Sequence, residues 1–301
     1  MRIVIAGSSG LIGTSLVHAL RADGDDVVRL VRRTPSAPDE VRWTPELGGS
    51  GADADLRAAL EGVDAVVNLA GAGVAGKRWD DAYKREVLDS RVAATTCLAT
   101  AIAELDAPPR VFVSGSASGY YGDTGAVAVD ETAPQGSTFL ARVSDAWEHA
   151  ADAAREVTRV VHPRTGLVAD PDGGAFGRLL PVVKMGVGGR LGSGKQWWSP
   201  ISLRDEVGAL RHLIATESLV GPVNLAAPEQ VTNGDLTARL GRALGRPTLA
   251  AVPGFALRAV LGEFADELLI DQRMAPAALL ASGYEFLDPT VDDIITDLLS
   301  V

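Results

Sequence analysis

The chain of 301 residues holds a single cysteine, Cys97, so no internal disulfide can form. Its four histidines (His18, His149, His162 and His212) stand far apart, and no Cys/His spacing of the zinc-binding kind occurs. No metal site is expected. Aromatic residues make up only 5%, and the 28 basic residues are outnumbered by 39 acidic ones, for a formal net charge of -11. A phosphate backbone repels such a chain, so no nucleic-acid partner is expected. No apolar run is long enough to span a bilayer. The apolar start, Met1 to Gly13, is broken by three glycines and reads as a strand and turn, not a signal peptide. These absences point away from a membrane and toward a cytoplasmic location.

What remains is an ordinary globular composition, 47% hydrophobic and 22% charged. Ile3-Val4-Ile5-Ala6 is a short apolar run of the kind buried on both faces of a parallel sheet. Leu11, Ile12, Leu16, Val17 and Leu20 then recur at helical spacing, and Val27 to Val31 is a second strand. Further strands are expected near 64–68, 110–114, 158–162 and 221–225, with helices near 80–105, 144–155 and 204–216. The alternation predicts an α/β fold, a Rossmann-type doubly wound parallel sheet with a smaller C-terminal substrate lobe. Residues 1–170 would form the dinucleotide domain, 203–226 would pack back on it, and 171–301 would form the lobe.

The turn Gly7-Ser8-Ser9-Gly10-Leu11-Ile12-Gly13 joins the first strand to the first helix. Gly7 suits the tight turn, Gly10 lets a pyrophosphate approach the backbone, and Gly13 lets helix and strand pack closely. The helix start offers free N–H groups to phosphates. Where the second strand ends, a carboxylate would favour NAD(H); the chain has Arg32-Arg33 there. Guanidinium groups can hold a 2′-phosphate, which favours NADP(H) over NAD(H). Two surface arginines that only solubilise a loop remain the alternative.

Several segments resemble the extended short-chain dehydrogenase/reductase superfamily: the GxxGxxG turn, Asn68-Leu69-Ala70-Gly71 and Phe112-Val-Ser-Gly-Ser116. More narrowly, the runs 68–79 (through Lys77-Arg78-Trp79) and 114–122 (with Gly119-Tyr120-Tyr121-Gly122) are similar to the poorly characterised "epimerase family protein" branch. So are Trp147-Glu148, Arg164-Thr165-Gly166, Asp172-Gly173-Gly174 and, in a C-terminal helical region, Gly262-Glu263, Gln272-Arg273 and Pro276. The resemblance implies that Asn68 to Gly71 lie beside the cofactor and that Ser114, Gly115 and Ser116 face the nicotinamide. It adds Arg164 and Gly166 to the cofactor-binding set. It also implies a homodimer through two long helices.

Dehydrogenases of that superfamily use a Tyr-x-x-x-Lys pair, in which a nearby ammonium makes the phenol a usable acid or base. The four tyrosines here, Tyr83, Tyr120, Tyr121 and Tyr284, are followed four positions on by Val87, Thr124, Gly125 and Asp288. Leu140 takes the tyrosine's place and Ser144 the lysine's. Three readings stay open. Ser116 with Tyr120 or Tyr121 could do the chemistry, the hydride step could need little proton help, or the chain could sense NADP(H) without turnover. The tyrosine pair could equally be loop packing. A nucleotide-sugar epimerase or dehydratase is a further alternative. Arg178, Lys184, Arg190 and Lys195, among the glycines and aromatics of 173–198, would suit a small-molecule substrate that is anionic; a basic loop balanced by the otherwise acidic surface is the alternative.

Overall fold

A computed structural model describes residues 1–47 and 54–300. Along the chain, β1 (Arg2–Ala6), α1 (Leu11–Ala22), β2 (Asp26–Val31), β3 (Glu40–Arg42), α2 (Ala54–Leu60), β4 (Ala65–Asn68), α3 (Asp81–Ala103), β5 (Val111–Ser114), β6 (Ser116–Ala117), α4 (Phe139–His149) and β7 (Arg159–Thr165) come first. Then follow β8 (Leu167–Ala169), α5 (Phe176–Lys184), β9 (Gly189–Leu191), β10 (Trp197–Trp198), β11 (Pro200–Ser202), α6 (Leu203–Ala215) and β12 (Gly221–Leu225). The chain closes with β13 (Val231–Thr232), α7 (Asn233–Ala243), β14 (Ala250–Val252), α8 (Gly254–Leu261), α9 (Phe264–Leu268), α10 (Ala277–Ala281) and α11 (Val291–Ser300).

The main sheet runs β3-β2-β1-β4-β5-β7-β12, with all pairs parallel. Order reverses at β1, so the turns after β1 and β4 part there and leave a crevice at the carboxyl ends of the strands. Alternate side chains of each strand enter opposite layers. Ile3, Ile5, Val67 and Val113 pack with Leu16 and Leu20 of α1 and Leu210 and Leu213 of α6. Val4, Ala6, Val66 and Phe112 pack with Leu98 and Ile102 of α3 on the other face. Burial on both faces accounts for the unbroken apolar runs of the sequence. β5 and β6 pair β7 in one register, interrupted opposite His162 and Pro163. Pro163 has no N–H to give, so the ladder breaks there.

The helix placed at 144–155 actually spans Phe139–His149, because the Thr138 side chain accepts the N–H of Ala141 and starts it earlier. The strand placed at 158–162 runs on to Thr165. Two elements between residues 40 and 60, β3 and α2, were not expected, nor was α5. In α5, Phe176, Leu180 and Val183 form a buried face despite the glycines around it and Pro181 within it. They join Leu236, Leu240, Ile294 and Leu298 in a second core made by α5, α7 and α11. No described helix is long and apolar enough to cross a membrane.

Phe112 is among the largest fully buried side chains and lies at the centre of the α3 layer. Phe112→Ala should lower the free energy of unfolding by about 3–5 kcal/mol through lost burial and the cavity left behind. Urea denaturation at neutral pH measures it.

Candidate functional site

The turn after β1 is built with almost no spare volume. Gly7 has φ +82, and a Cβ there would lie 2.6 Å from the carbonyl carbon of Leu69. A Cβ at Gly13 would lie 2.2 Å from the Gly7 oxygen. Gly10 differs: the nearest atom to a Cβ there is the Gly7 oxygen at 3.4 Å, and its φ of -80 suits any residue. Nothing among the described residues therefore demands glycine at this position. α1 also starts without a side-chain cap, whereas α3, α4, α6 and α7 are capped by Asp80, Thr138, Ser202 and Thr232. Its first N–H groups lack a side-chain cap and Gly10 has no close neighbour, an arrangement that suits a close-lying anion. Ser8 is buried, and its carbonyl accepts the Thr14 hydroxyl at 3.3 Å.

Asn68 ends β4 fully buried. Its Nδ2 donates to Thr95 Oγ1 at 2.8 Å and its Oδ1 accepts the Ala70 N–H at 3.1 Å, so it shapes the loop 68–71 from beneath. The Leu69 N–H bonds to the Ala6 carbonyl at 2.9 Å, tying this loop to β1. Gly71 lies against Arg91, whose Nη1 donates to the carbonyls of Ala72 and Val87, each at 2.9 Å. Arg91 has no ion-pair partner among the described residues, and burial pushes its pKa down to about 10. Its guanidinium sits 5.0 Å from the centroid of the Trp147 ring. A cation so placed is available to an anion or a carbonyl oxygen.

At the end of β2, Arg33 is forked onto the Glu40 carboxylate, with distances of 2.7 and 2.6 Å. Its charge is already answered, which corrects the expectation that both arginines are free for a phosphate. Arg32 is exposed and has no ion-pair partner among the described residues.

A cavity of about 200 Å³ opens at the ends of β6 and β7. Ala117 to Gly119, Thr165 to Leu167, and Arg91 form its inner side. Leu140, Val143, Ser144 and Trp147 of α4 form one wall, and Phe264, Glu267 and Leu268 of α9 another. Leu140 and Ser144, four residues apart on one helix face, both look into it. A larger hollow of about 490 Å³ lies between α1, α6 and α11. Its arginines are already paired, Arg204 with Asp288 and Asp297, Arg211 with Asp23, so the smaller cavity is the candidate site.

The groups proposed from sequence for chemistry lie around this cavity, but most are committed elsewhere. Ser116 donates its one hydroxyl proton to Glu148 Oε1 at 2.6 Å. That proton is not free to orient a carbonyl, which corrects the role expected for it. Glu148 also takes Arg164 Nε at 2.8 Å and Nη2 at 3.0 Å. Arg164 is 2% exposed, donates to the Tyr121 hydroxyl at 2.9 Å and lies 3.4 Å from the Tyr120 ring centroid. The expectation of a cofactor contact from Arg164 is therefore corrected: its guanidinium is sealed inside a charge network. Tyr121 passes its own proton to Asn224 Oδ1 at 2.7 Å, and burial pushes its pKa up to about 12. Neither Tyr120 nor Tyr121 lines the cavity, and packing with Ala226 and Met274 is their evident role.

Ser114 is fully buried, with a side-chain oxygen that has no hydrogen-bond partner among the described residues. Gly115 leaves room for the Trp147 ring, 2.6 Å from where a Cβ would stand. Gly166 lines the cavity, and a Cβ there would lie 2.2 Å from the Ser199 carbonyl. Arg178 is turned to the Ala75 carbonyl, and none of Arg178, Lys184, Arg190 or Lys195 lines the cavity. Sequence reasoning missed Arg91, Glu267 and Gln272, all of which do. Arg91 sits nearly three turns into α3, a position with no motif to mark it. Gln272 had been noticed only as part of a C-terminal pattern, and it accepts the Ser118 hydroxyl at 2.9 Å.

The order of the sheet, the uncapped helix after a GxxGxxG turn, and the cavity at its carboxyl edge define a Rossmann-type fold of the extended short-chain dehydrogenase/reductase kind. The chain belongs to the epimerase family proteins. The NAD dependent epimerase/dehydratase family matches residues 3–145, and a domain of unknown function (DUF1731) matches residues 252–298. An epimerase family protein of Mycobacterium leprae is 45% identical over 98% of this chain and 94% of its own length. The crystal structure of human epimerase family protein SDR39U1 (isoform 2) with NADPH has a TM-score of 0.89 at 33% identity, covering 100% of this chain and 99% of that one. MoeE5 in complex with UDP-glucuronic acid and NAD has a TM-score of 0.76 at 22% identity, covering 100% of this chain and 98% of its own, a likeness of fold alone.

One carboxyl beside the cavity dictates a pH dependence. Glu206 of α6 is fully buried and accepts the Thr165 hydroxyl at 2.7 Å, and burial pushes its pKa up to about 8. The folded state holds this proton where the unfolded chain, near 4.5, has lost it. Stability should therefore fall as pH rises from about 4.5 to about 8, the range over which the folded state keeps a proton that the unfolded chain has lost. Glu206→Gln should remove that slope, as read by urea denaturation across the range.

Proposed function

We propose that this chain is an NADP(H)-dependent oxidoreductase or epimerase-like enzyme acting on a small molecule, without the Tyr-x-x-x-Lys pair. The observation that carries the cofactor half is Gly10: the protein has room for a side chain there, so the missing Cβ is explained by something that lies on the turn. A pyrophosphate against the uncapped start of α1 meets that need. Arg32 would hold the 2′-phosphate, and Arg91, a cation with no carboxylate partner, would meet a ribose or phosphate oxygen near Gly71. The NADPH of the human relative's structure supports this choice over NAD(H).

When bound, a reduced nicotinamide supplies a hydride. The chain's own groups bind and orient what receives it. Leu140 and Ser144 stand at the helical positions where the pair would be, and neither can move a proton as a phenol and an ammonium do. Trp147 and Trp198 exclude water from the cavity, and Gln272 and Ser118 offer polar atoms to a substrate. A regulatory sensor without turnover would need the cavity for nothing, so the polar atoms gathered in it favour an enzyme.

Two variants separate the parts of this reading. Gly10→Val should fold normally, with an unfolding midpoint near that of the wild type, and lose NADPH binding in calorimetry. Arg32→Ala should weaken NADPH by about 1.5–3 kcal/mol, the worth of hydrogen bonds to a charged group, and leave NADH unchanged. Equal losses for both coenzymes would remove Arg32 from the phosphate site.

A further inference from the structure

Glu267 reaches the cavity from α9, in the C-terminal segment rather than the sheet. Its Oε1 accepts the backbone N–H of Leu140 at 3.1 Å. Its Oε2 is buried and has no hydrogen-bond partner among the described residues. One oxygen is therefore fixed, and the other is unpaired among the described residues in a side chain that lines the cavity. An unmet buried polar atom is costly, and a ligand that brings an oxygen to it removes the cost. The anchor is also suggestive, because Leu140 holds the place at which the superfamily keeps its tyrosine.

We propose that Glu267 is the proton-transfer group of this cavity, exchanging the proton of its Oε2 with the oxygen of a small, uncharged carbonyl compound or the corresponding alcohol. This deepens the NADP(H) oxidoreductase reading and rests on it. In reduction, the carbonyl carbon gains a hydride from reduced nicotinamide as the C=O π bond breaks. The oxygen takes the proton of Glu267, which is left as a carboxylate and regains a proton from water. Oxidation of the alcohol is the reverse. Glu267 thus supplies the acid that Leu140 and Ser144 cannot.

Its surroundings favour the acid form. Burial raises the pKa of the carboxyl, opposed first by the Leu140 N–H and then by the Thr138 hydroxyl. Of the charged groups around it, Arg142 of α4 lowers the pKa and Asp266 of α9 raises it. Arg258 of α8 is held by Asp266, at 2.7 Å, and Lys84 of α3 by Glu263, at 2.5 Å. Arg91 of α3 shares the cavity but lies on its cofactor side, against Gly71. The walls are otherwise apolar, from Val143, Trp147, Trp198, Phe264 and Leu268, and the volume is about 200 Å³. That is below the usual span of small-molecule sites, roughly 300–1,000 Å³, and fits a compact uncharged substrate.

The test uses the whole chain, with Glu267→Gln as the variant, since an amide oxygen can still accept the Leu140 N–H. NADPH affinity by calorimetry should be the same for both proteins. With benzaldehyde, acetophenone and short aliphatic ketones as probes, the wild type should oxidise NADPH, and its kcat should fall as pH rises through the Glu267 titration. Glu267→Gln should lower kcat by about 10²–10⁴-fold, leave KM unchanged and abolish that pH step. Independently of turnover, a carbon-13 NMR titration of the free protein should show the Glu267 carboxyl, identified by its loss in the variant, titrating above the ordinary glutamate range. Three results would overturn the proposal: equal kcat in variant and wild type, no oxidation of bound NADPH with any probe, or an ordinary titration. Failure of NADPH to bind the wild type sinks the cofactor reading instead, and the NMR titration then still decides the carboxyl.

Discussion

The arrangement depends on how closely the turn after β1 lies against the loop after β4. Gly7 touches Leu69, and Gly13 touches Gly7, at distances where no side-chain carbon fits. The Leu69 N–H is bonded to the Ala6 carbonyl, and Asn68 braces the same loop through Thr95. Because these segments meet at backbone distance, the start of α1 lies in the crevice itself. A small side chain at either contact would push the helix away and remove its N–H groups from the place where charge is needed. The conformational freedom of Gly7 serves the same end, since φ +82 is a strained value for other residues.

Much of this was legible in the chain. The apolar run Ile3 to Ala6 marked a buried strand, the glycine turn marked the crevice, and alternation of strands and helices marked the parallel sheet. Periodicity works there because each element is buried by the layer next to it. It failed for α5, whose apolar face is only three residues deep and is flanked by glycines. It also placed α4 five residues late, since a capping threonine outweighed the apolar pattern. The short β3 was missed because a three-residue strand carries almost no pattern.

The chemistry was read less well, for a different reason. Ser116, Tyr121 and Arg164 are residue types suited to catalysis or anion binding, and sequence cannot show what they already hold. Here Glu148 takes the serine proton and the guanidinium, and Asn224 takes the phenol proton. Glu148 had been noted only as one half of Trp147-Glu148. Such a buried charge is tolerated only when it is answered, and this one is answered by partners 16 and 32 residues away in the chain. Arg91 and Glu267 had no motif to mark them because their meaning lies in what they lack. That Arg91 has no ion pair, and Glu267 Oε2 no hydrogen bond, among the described residues is visible only when their neighbours are.

The outer strand β12 carries a consequence for how copies of this chain can meet. Pro222 has no N–H, and the Asn224 N–H is taken by Glu131 Oε1 at 3.0 Å. The same carboxylate holds the start of α10 through the Ala278 N–H, at 3.1 Å. The opposite border, β3, is three residues long. Among the described residues an incoming strand would find no row of free donors on β12, and only three residues of β3 to pair with. The β12 border of the main sheet therefore offers little to an edge-to-edge contact between copies of this chain.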